Sequence, residues 1–160
     1  MAVAAYVNLT AAEDVATAAL GDEYDAPHGA RYKYVQASAA VDAFSLCRIT
    51  ATNTIAESTA TDLTTTRPAL VCIPQFAVAN GQYAWAPVGP FTLREDNVTT
   101  FKVLSKIANA SVVLYGTATA GSVDDAVSNP AIAGLTLTAA CAVDDTATAC
   151  VAATRMTVNS

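Results

Sequence analysis

The stretch Phe76-Ala77-Val78-Ala79-Asn80-Gly81-Gln82-Tyr83-Ala84-Trp85 decides how the chain reads. Asn-Gly between two alternating runs is the strongest short signal for a β-hairpin, because a type I′ turn needs positive φ at both central residues. With Asn80 and Gly81 at the turn, Ala79 is predicted to pair with Gln82, Val78 with Tyr83, and Phe76 with Trp85. The four large side chains then share one face and small or polar partners share the other, so the large face is predicted to be core. Aromatic cross-strand pairs of this kind stabilise by about 0.2–1 kcal/mol each relative to Ala–Ala. The segment reads as β.

Outward from this stretch the same period of two recurs. Tyr32 to Ala37 alternates, Phe44 to Thr52 is rich in β-branched residues, and Phe91-Thr92-Leu93 forms a short run. Thr99 to Leu104 and Ser111 to Tyr115 are strand-like, with Gly116 and Gly121 as turns or bulges. Ile132 to Ala142 and Ala147 to Val158 flank Asp144-Asp145, which reads as a hairpin tip. One segment reads differently. Thr10 and Glu13 have capping-box spacing, Ala11 to Leu20 is helix-prone, and Gly21 fits the position just past a helix end. The predicted organisation is an N-terminal arm over 1–30 with a short helix, followed by a mainly β domain over 31–160.

The β region also carries an internal echo. Tyr34-Val35-Gln36-Ala37-Ser38 parallels Lys102-Val103-Leu104-Ser105-Lys106, and Ser45 to Thr52 parallels Ser111 to Thr119. An acidic stretch follows each (Glu57 to Asp62; Asp124-Asp125), and Pro68-Ala69-Leu70 echoes Pro130-Ala131-Ile132. Two β modules over 33–93 and 101–158, burying their large faces against each other in a sandwich or barrel-like domain, fit this spacing. Alternation alone serves sandwich and barrel equally.

Composition bounds the function. Of 160 residues, 36 are Ala and 21 are Thr, so the 53% hydrophobic content overstates the apolar bulk. Charged residues make up only 14%, against about 25% in typical soluble domains. Much of the surface must be Ala, Thr, Ser and Gly, which suits a protein covered by partners. A net charge of −6 argues against nucleic acid, which demands a basic stripe. The one basic cluster, Arg31-Tyr32-Lys33, reads as a strand end. No run approaches the ~20 apolar residues of a membrane helix, and the N-terminus lacks the basic and hydrophobic regions of a signal peptide.

The residues that carry chemistry are sparse. Cys47, Cys72, Cys141 and Cys150 have no C-x-x-C spacing and sit in apolar settings, so they read as free buried thiols, with a Cys141–Cys150 bridge as the alternative. His28, the sole histidine, lies in a turn context with no Ser or Cys beside it. Asp124-Asp125 and Asp144-Asp145 are adjacent pairs that point to opposite faces of a strand, so they read as solvated turn residues. No phosphate loop or Ca²⁺ loop is present. The Asn8, Asn97 and Asn109 sequons are frequent by chance in a Thr-rich chain. The expectation is therefore no catalytic, cofactor or metal residue, and no enzyme.

In their order, several short segments resemble the head-decoration, or capsid cement, proteins of tailed bacteriophages. They are Tyr32 to Ser38, Gln75-Phe76-Ala77 leading into Gly81 to Trp85 with a following Gly89, Thr117 to Ser122, and Ile132 to Leu135. Together they span roughly 20–158. The chain departs from the family pattern at Cys72-Ile73-Pro74, where such proteins tend to carry Gly-Val-Ala before the Gln. The resemblance implies a β-rich virion protein that binds the major capsid protein on the outer surface of the assembled shell, commonly as a homotrimer. On that reading the segment before residue 30 reaches to neighbouring subunits. The alternative within the virion is a head-fibre or tail protein that binds the host surface through the Asn80–Gly81 tip.

Overall fold

The computed structural model describes residues 7–65, 68–96, 98–127 and 130–158. Its elements are β1 (Glu23–Asp25), β2 (Arg31–Ala37), β3 (Cys47–Ile49), β4 (Thr54–Glu57), α1 (Ala60–Thr65), β5 (Ala69–Cys72), β6 (Tyr83–Pro87), β7 (Phe101–Ser105), β8 (Leu114–Gly116), β9 (Val123–Asp124), β10 (Ala131–Leu137) and β11 (Thr146–Val158). The chain is mainly β. Strands β7, β11, β10, β8 and β9 close into a five-stranded barrel through the β7–β9 and β11–β7 pairings. Further strands are bonded outside it.

The first half of the chain repeats this arrangement. β2 pairs β4 in parallel and β6 antiparallel, while β3 pairs β4 and β5. In the second half β7 pairs β9 in parallel and β11 antiparallel, while β8 pairs β9 and β10. Where β10 and β11 form a full ladder, β5 and β6 meet by the Ile73 N–H donating to Pro87 O at 3.2 Å. Local backbone repeats too. The Val41–Val78 bridge matches Ala108–Cys141. Phe44 and Ser111 both have positive φ, as do Asn53 and Gly121, and Gly81 and Asp145. The Asp42 N–H donates to Glu57, as the Asn109 N–H donates to Asp125.

The register differs in detail from the sequence echo. Cys47 opposes Cys72 and Leu114 opposes Ile132, so Val71 stands where Ala131 stands, two residues from the Pro-based alignment. Opposite Gly134 the extra residues lie in β11, which runs from Thr157 to Ala152 while β10 runs from Ala133 to Leu135, and Pro68 and Pro130 cannot reveal this.

Two apolar clusters follow from this layout. Val35, Ala37, Cys47, Ile49, Ile55, Cys72, Ala84 and Ala86 fill the first barrel. The larger cluster fills the second barrel and continues between the modules through Leu46, Leu63, Val71, Tyr32, Tyr34 and Trp85. Alternation along β2 explains the split: Val35 and Ala37 face inward, while Tyr32 and Tyr34 face the second cluster.

Two local readings are corrected. Residues 11–20 are not helical. Glu13 instead bridges Tyr83 through both backbone groups, and its carboxylate accepts from Tyr34 Oη at 2.8 Å. A tertiary strand pairing outcompetes the helical propensity of the Ala run, which has no apolar face to bury; Val15 is 74% exposed. The described part of the arm, residues 7–30, lies along its own first module, with β1 paired to β2 and Val7, Leu9 and Tyr24 against the core.

The Asn80–Gly81 turn exists, but not as a two-residue hairpin. Only Gly81 has positive φ, and the Gln82 N–H donates to Ala79 O. That is type II geometry, whose twist does not suit a tight hairpin. The two arms pair instead with the end of β2 and the residues beyond it, Val78 with Val41 and Tyr83 with Gln36. Phe76 and Val78 therefore join the first-barrel cluster, whereas Tyr83 and Trp85 join the other.

Gln75 ties the modules together. Its Nε2 donates to Lys102 O and its Oε1 accepts from the Lys102 N–H, both at 2.9 Å, so one buried amide serves as a strand partner for β7. Replacing it with Leu leaves two backbone groups of Lys102 without that partner, at about 1–3 kcal/mol. A urea titration of Gln75→Leu is expected to show the corresponding drop in midpoint; an unchanged midpoint rejects the clamp.

Candidate interaction surface

The sequence-predicted chemical residues do not converge. His28 lies at the edge of a shallow groove of about 340 Å³ with Leu9, Tyr24 and Glu95, and its Nε2 stands 3.5 Å from Tyr32 Oη. Arg31 bonds Asp25, and Lys33 pairs with Glu23, so the basic cluster is matched by acids. The four cysteines are free and buried. The Cys141–Cys150 bridge is not formed; the Cys141 thiol donates to Val143 O at 3.0 Å. Cys47 and Cys72 are the directly opposed pair, inside the first barrel. The Cys72 hydrogen bond and burial push the Cys47 thiol well up, and burial pushes Cys150 up to about 12. Cys47 and Cys150 are thus held un-ionised, and all four buried cysteines pack as small apolar side chains. Among the described residues no group of three His, Cys, Asp or Glu gathers as a ligand set, and no helix is long and apolar enough to cross a membrane.

The aspartate pairs are bound rather than merely solvated. Asp125 accepts from the backbone and side-chain amides of Asn109, which lower its pKa. Asp145 accepts from Lys106 Nζ and Ser122 Oγ, each at 2.8 Å, and the Lys106 bond lowers it most. Asp144 accepts from the Ile107 N–H. Sequence spacing could not show these bonds, because they join turns 16 to 39 residues apart. The Asn109 sequon is engaged in this network; Asn97 lies outside the described residues.

These carboxylates staple one end of the second barrel, and that end is apolar between them. Ile107, Val113, Val127 and Val143 are 53–84% exposed. Ile107 follows β7, Val113 precedes β8, Val127 follows β9 and Val143 precedes β11; given the strand directions, all four lie at the same end. Isolated exposed aliphatics are ordinary, but a cluster at one end of a barrel marks a contact surface.

Acid is expected to loosen this end, at Asp125 and Asp145, together with the Asp62 cap of α1 and the Asp96 turn ahead of β7. The folded pKa values of Asp125, Asp145 and Asp62 lie below the usual carboxylate range, and Asp96, which accepts from Thr99, is down at about 2. Their stabilisation is present above the unfolded carboxylate range near pH 4 and is lost as the pH falls toward about 2. Urea midpoints measured at successive pH values should fall through that window, and Asp125→Asn should flatten the fall. A midpoint constant from pH 5 to 2 rejects this.

No protein-family profile, no curated protein and no solved structure matches the chain.

Proposed function

We propose that the chain is a structural virion protein that binds the major capsid protein on the outside of an assembled phage shell and reinforces it. The observation that carries the reading is the apolar end of the second barrel, Ile107, Val113, Val127 and Val143, on a chain with only 14% charged residues. Small Ala and Thr side chains lose little rotamer entropy on being covered, which favours a contact made many times over one lattice. A protein that binds only the assembled shell stabilises it by mass action. The hydroxyls of Ser45 and Ser122 donate to Glu57 and Asp145 within turn networks, and the four cysteine thiols are buried, so a binding role suits the chain better than catalysis.

The test is co-sedimentation with preformed empty shells, alongside adsorption to host cells. Pelleting with shells, and its loss in Ile107→Asp/Val143→Asp, is the expected result. Adsorption to cells without shell binding rejects it in favour of a fibre or tail role.

A further inference from the structure

The two modules meet in a way that leaves half of the same contact unused at each end of the molecule. The first module presents the end of its barrel: Leu46, Ser58, α1 and Gln75. The second presents its flank: β7 and the turn between β8 and β9. The Leu46 N–H donates to Gly121 O, the Gly121 N–H to Ser58 O, and the Ala60 N–H to Thr117 O. Leu63, fully buried, packs on Gly116.

A twofold relation between modules would bring the counterparts together in the reciprocal sense. Leu46 and Val113 each immediately precede matching strands, and Asn53 matches Gly121, so Val113 would lie on Asn53. It does not. Val113 is 53% exposed, and Gly21 of the arm lies against Asn53. The internal contact is therefore head-to-tail, with different surfaces on the two sides. Such contacts propagate into rings or open chains.

Each unused half is visible. Val113 and Val127 stand on the second barrel where Leu46 and Thr59 stand on the first, and both are exposed. In the first module, Ile49 and Thr50 stand where Gly116 and Thr117 receive α1. With Ala51, Pro68 and Leu70 they line an open groove of about 370 Å³. The described part of the arm covers the β2 side of that flank and does not line the groove. Ile107 and Val143 have exposed counterparts, Ala40 and Asn80, that take no part in the internal contact, so they stay available for another partner.

We infer that a second copy of this chain docks here, its Val113–Val127 rim entering the Ile49–Ala51 and Pro68–Leu70 groove in the manner of the internal contact. The inference stands on the internal repeat and does not depend on capsid binding. Its test uses purified protein alone, so failure to bind shells leaves it untouched. Native mass spectrometry across a concentration series should show association of the full chain. Val113→Asp spoils one surface and Ala51→Glu the other, both at exposed positions, and thermal melts verify folding. Each variant alone is expected to be monomeric. An equimolar mixture is expected to give two-chain complexes and nothing larger, because one intact rim meets one intact groove. A full chain that stays monomeric throughout the series, a variant that associates as the full chain does, or a mixture that stays monomeric overturns the inference.

Discussion

Replacing Phe101 with Ala is expected to cost about 3–5 kcal/mol, among the largest losses available to a single side chain in this fold. Phe101 is fully buried at the start of β7. Its ring lies 4.4 Å from that of Phe91 and 6.3 Å from that of Tyr32, centroid to centroid. It thus fills the place where the first module, the connector and the second barrel meet. The backbone around it cannot close over a void. Phe101 pairs with Cys150 on β11, and Phe91 pairs with Ala152 two residues further along the same strand. Denaturation by urea should show a lower midpoint with an unchanged slope, since native compactness is retained. Phe101→Leu, which keeps most of the volume, should lose less than about 1.5 kcal/mol. A loss below about 1 kcal/mol for the alanine variant means that the three parts do not share this core.

The strands were readable because alternation survives at their centres. Tyr32 to Ala37 falls on β2, whereas Trp85, predicted to pair with Phe76 across a hairpin, lies opposite Tyr34 in the β2–β6 ladder. Partner choice was not readable. An Asn-Gly pair specifies a turn, yet the φ of Asn80 selects the turn type, and that is set by what the arms meet.

Helix signals show the same limit. Thr10 and Glu13 have capping spacing with no helix between them and Leu20. Thr59 and Asp62 have it too, in a stretch read only as acidic, and there the cap forms: Asp62 Oδ2 accepts from the Thr59 N–H at 2.8 Å. What separates them is burial. Leu63 reaches Gly116 across the module boundary, whereas nothing covers Val15. The exposed rim was equally hidden, because Val113 and Leu46 look alike in sequence and differ only in whether a second module covers them.

Gly89 is where the backbone tolerates least, and Gly89→Ala is expected to cost about 3 kcal/mol or more. Two costs coincide. Its φ is +81°, a region in which a Cβ costs roughly 1–2 kcal/mol. A Cβ there would also lie 2.3 Å from the backbone oxygen of Thr154 and 3.0 Å from Ala152 Cβ. Relief by movement is blocked on both sides. The Met156 N–H donates to Val88 O at 2.8 Å, and Phe91 exchanges both backbone bonds with Ala152 at 2.9 and 3.0 Å. Shifting residue 89 away from β11 must break one of these contacts, each of which joins the end of the first module to the long strand of the second. Gly81 supplies the control. Its φ is +85°, but nothing lies within 4 Å of a Cβ built on it, so Gly81→Ala should lose only the conformational share. Thermal unfolding of the two variants side by side separates the costs: the Gly89 variant should melt well below the Gly81 variant. Equal melting temperatures mean that β11 yields at Thr154, and that the crossing of residues 88–91 over β11 is not what locks the two modules together.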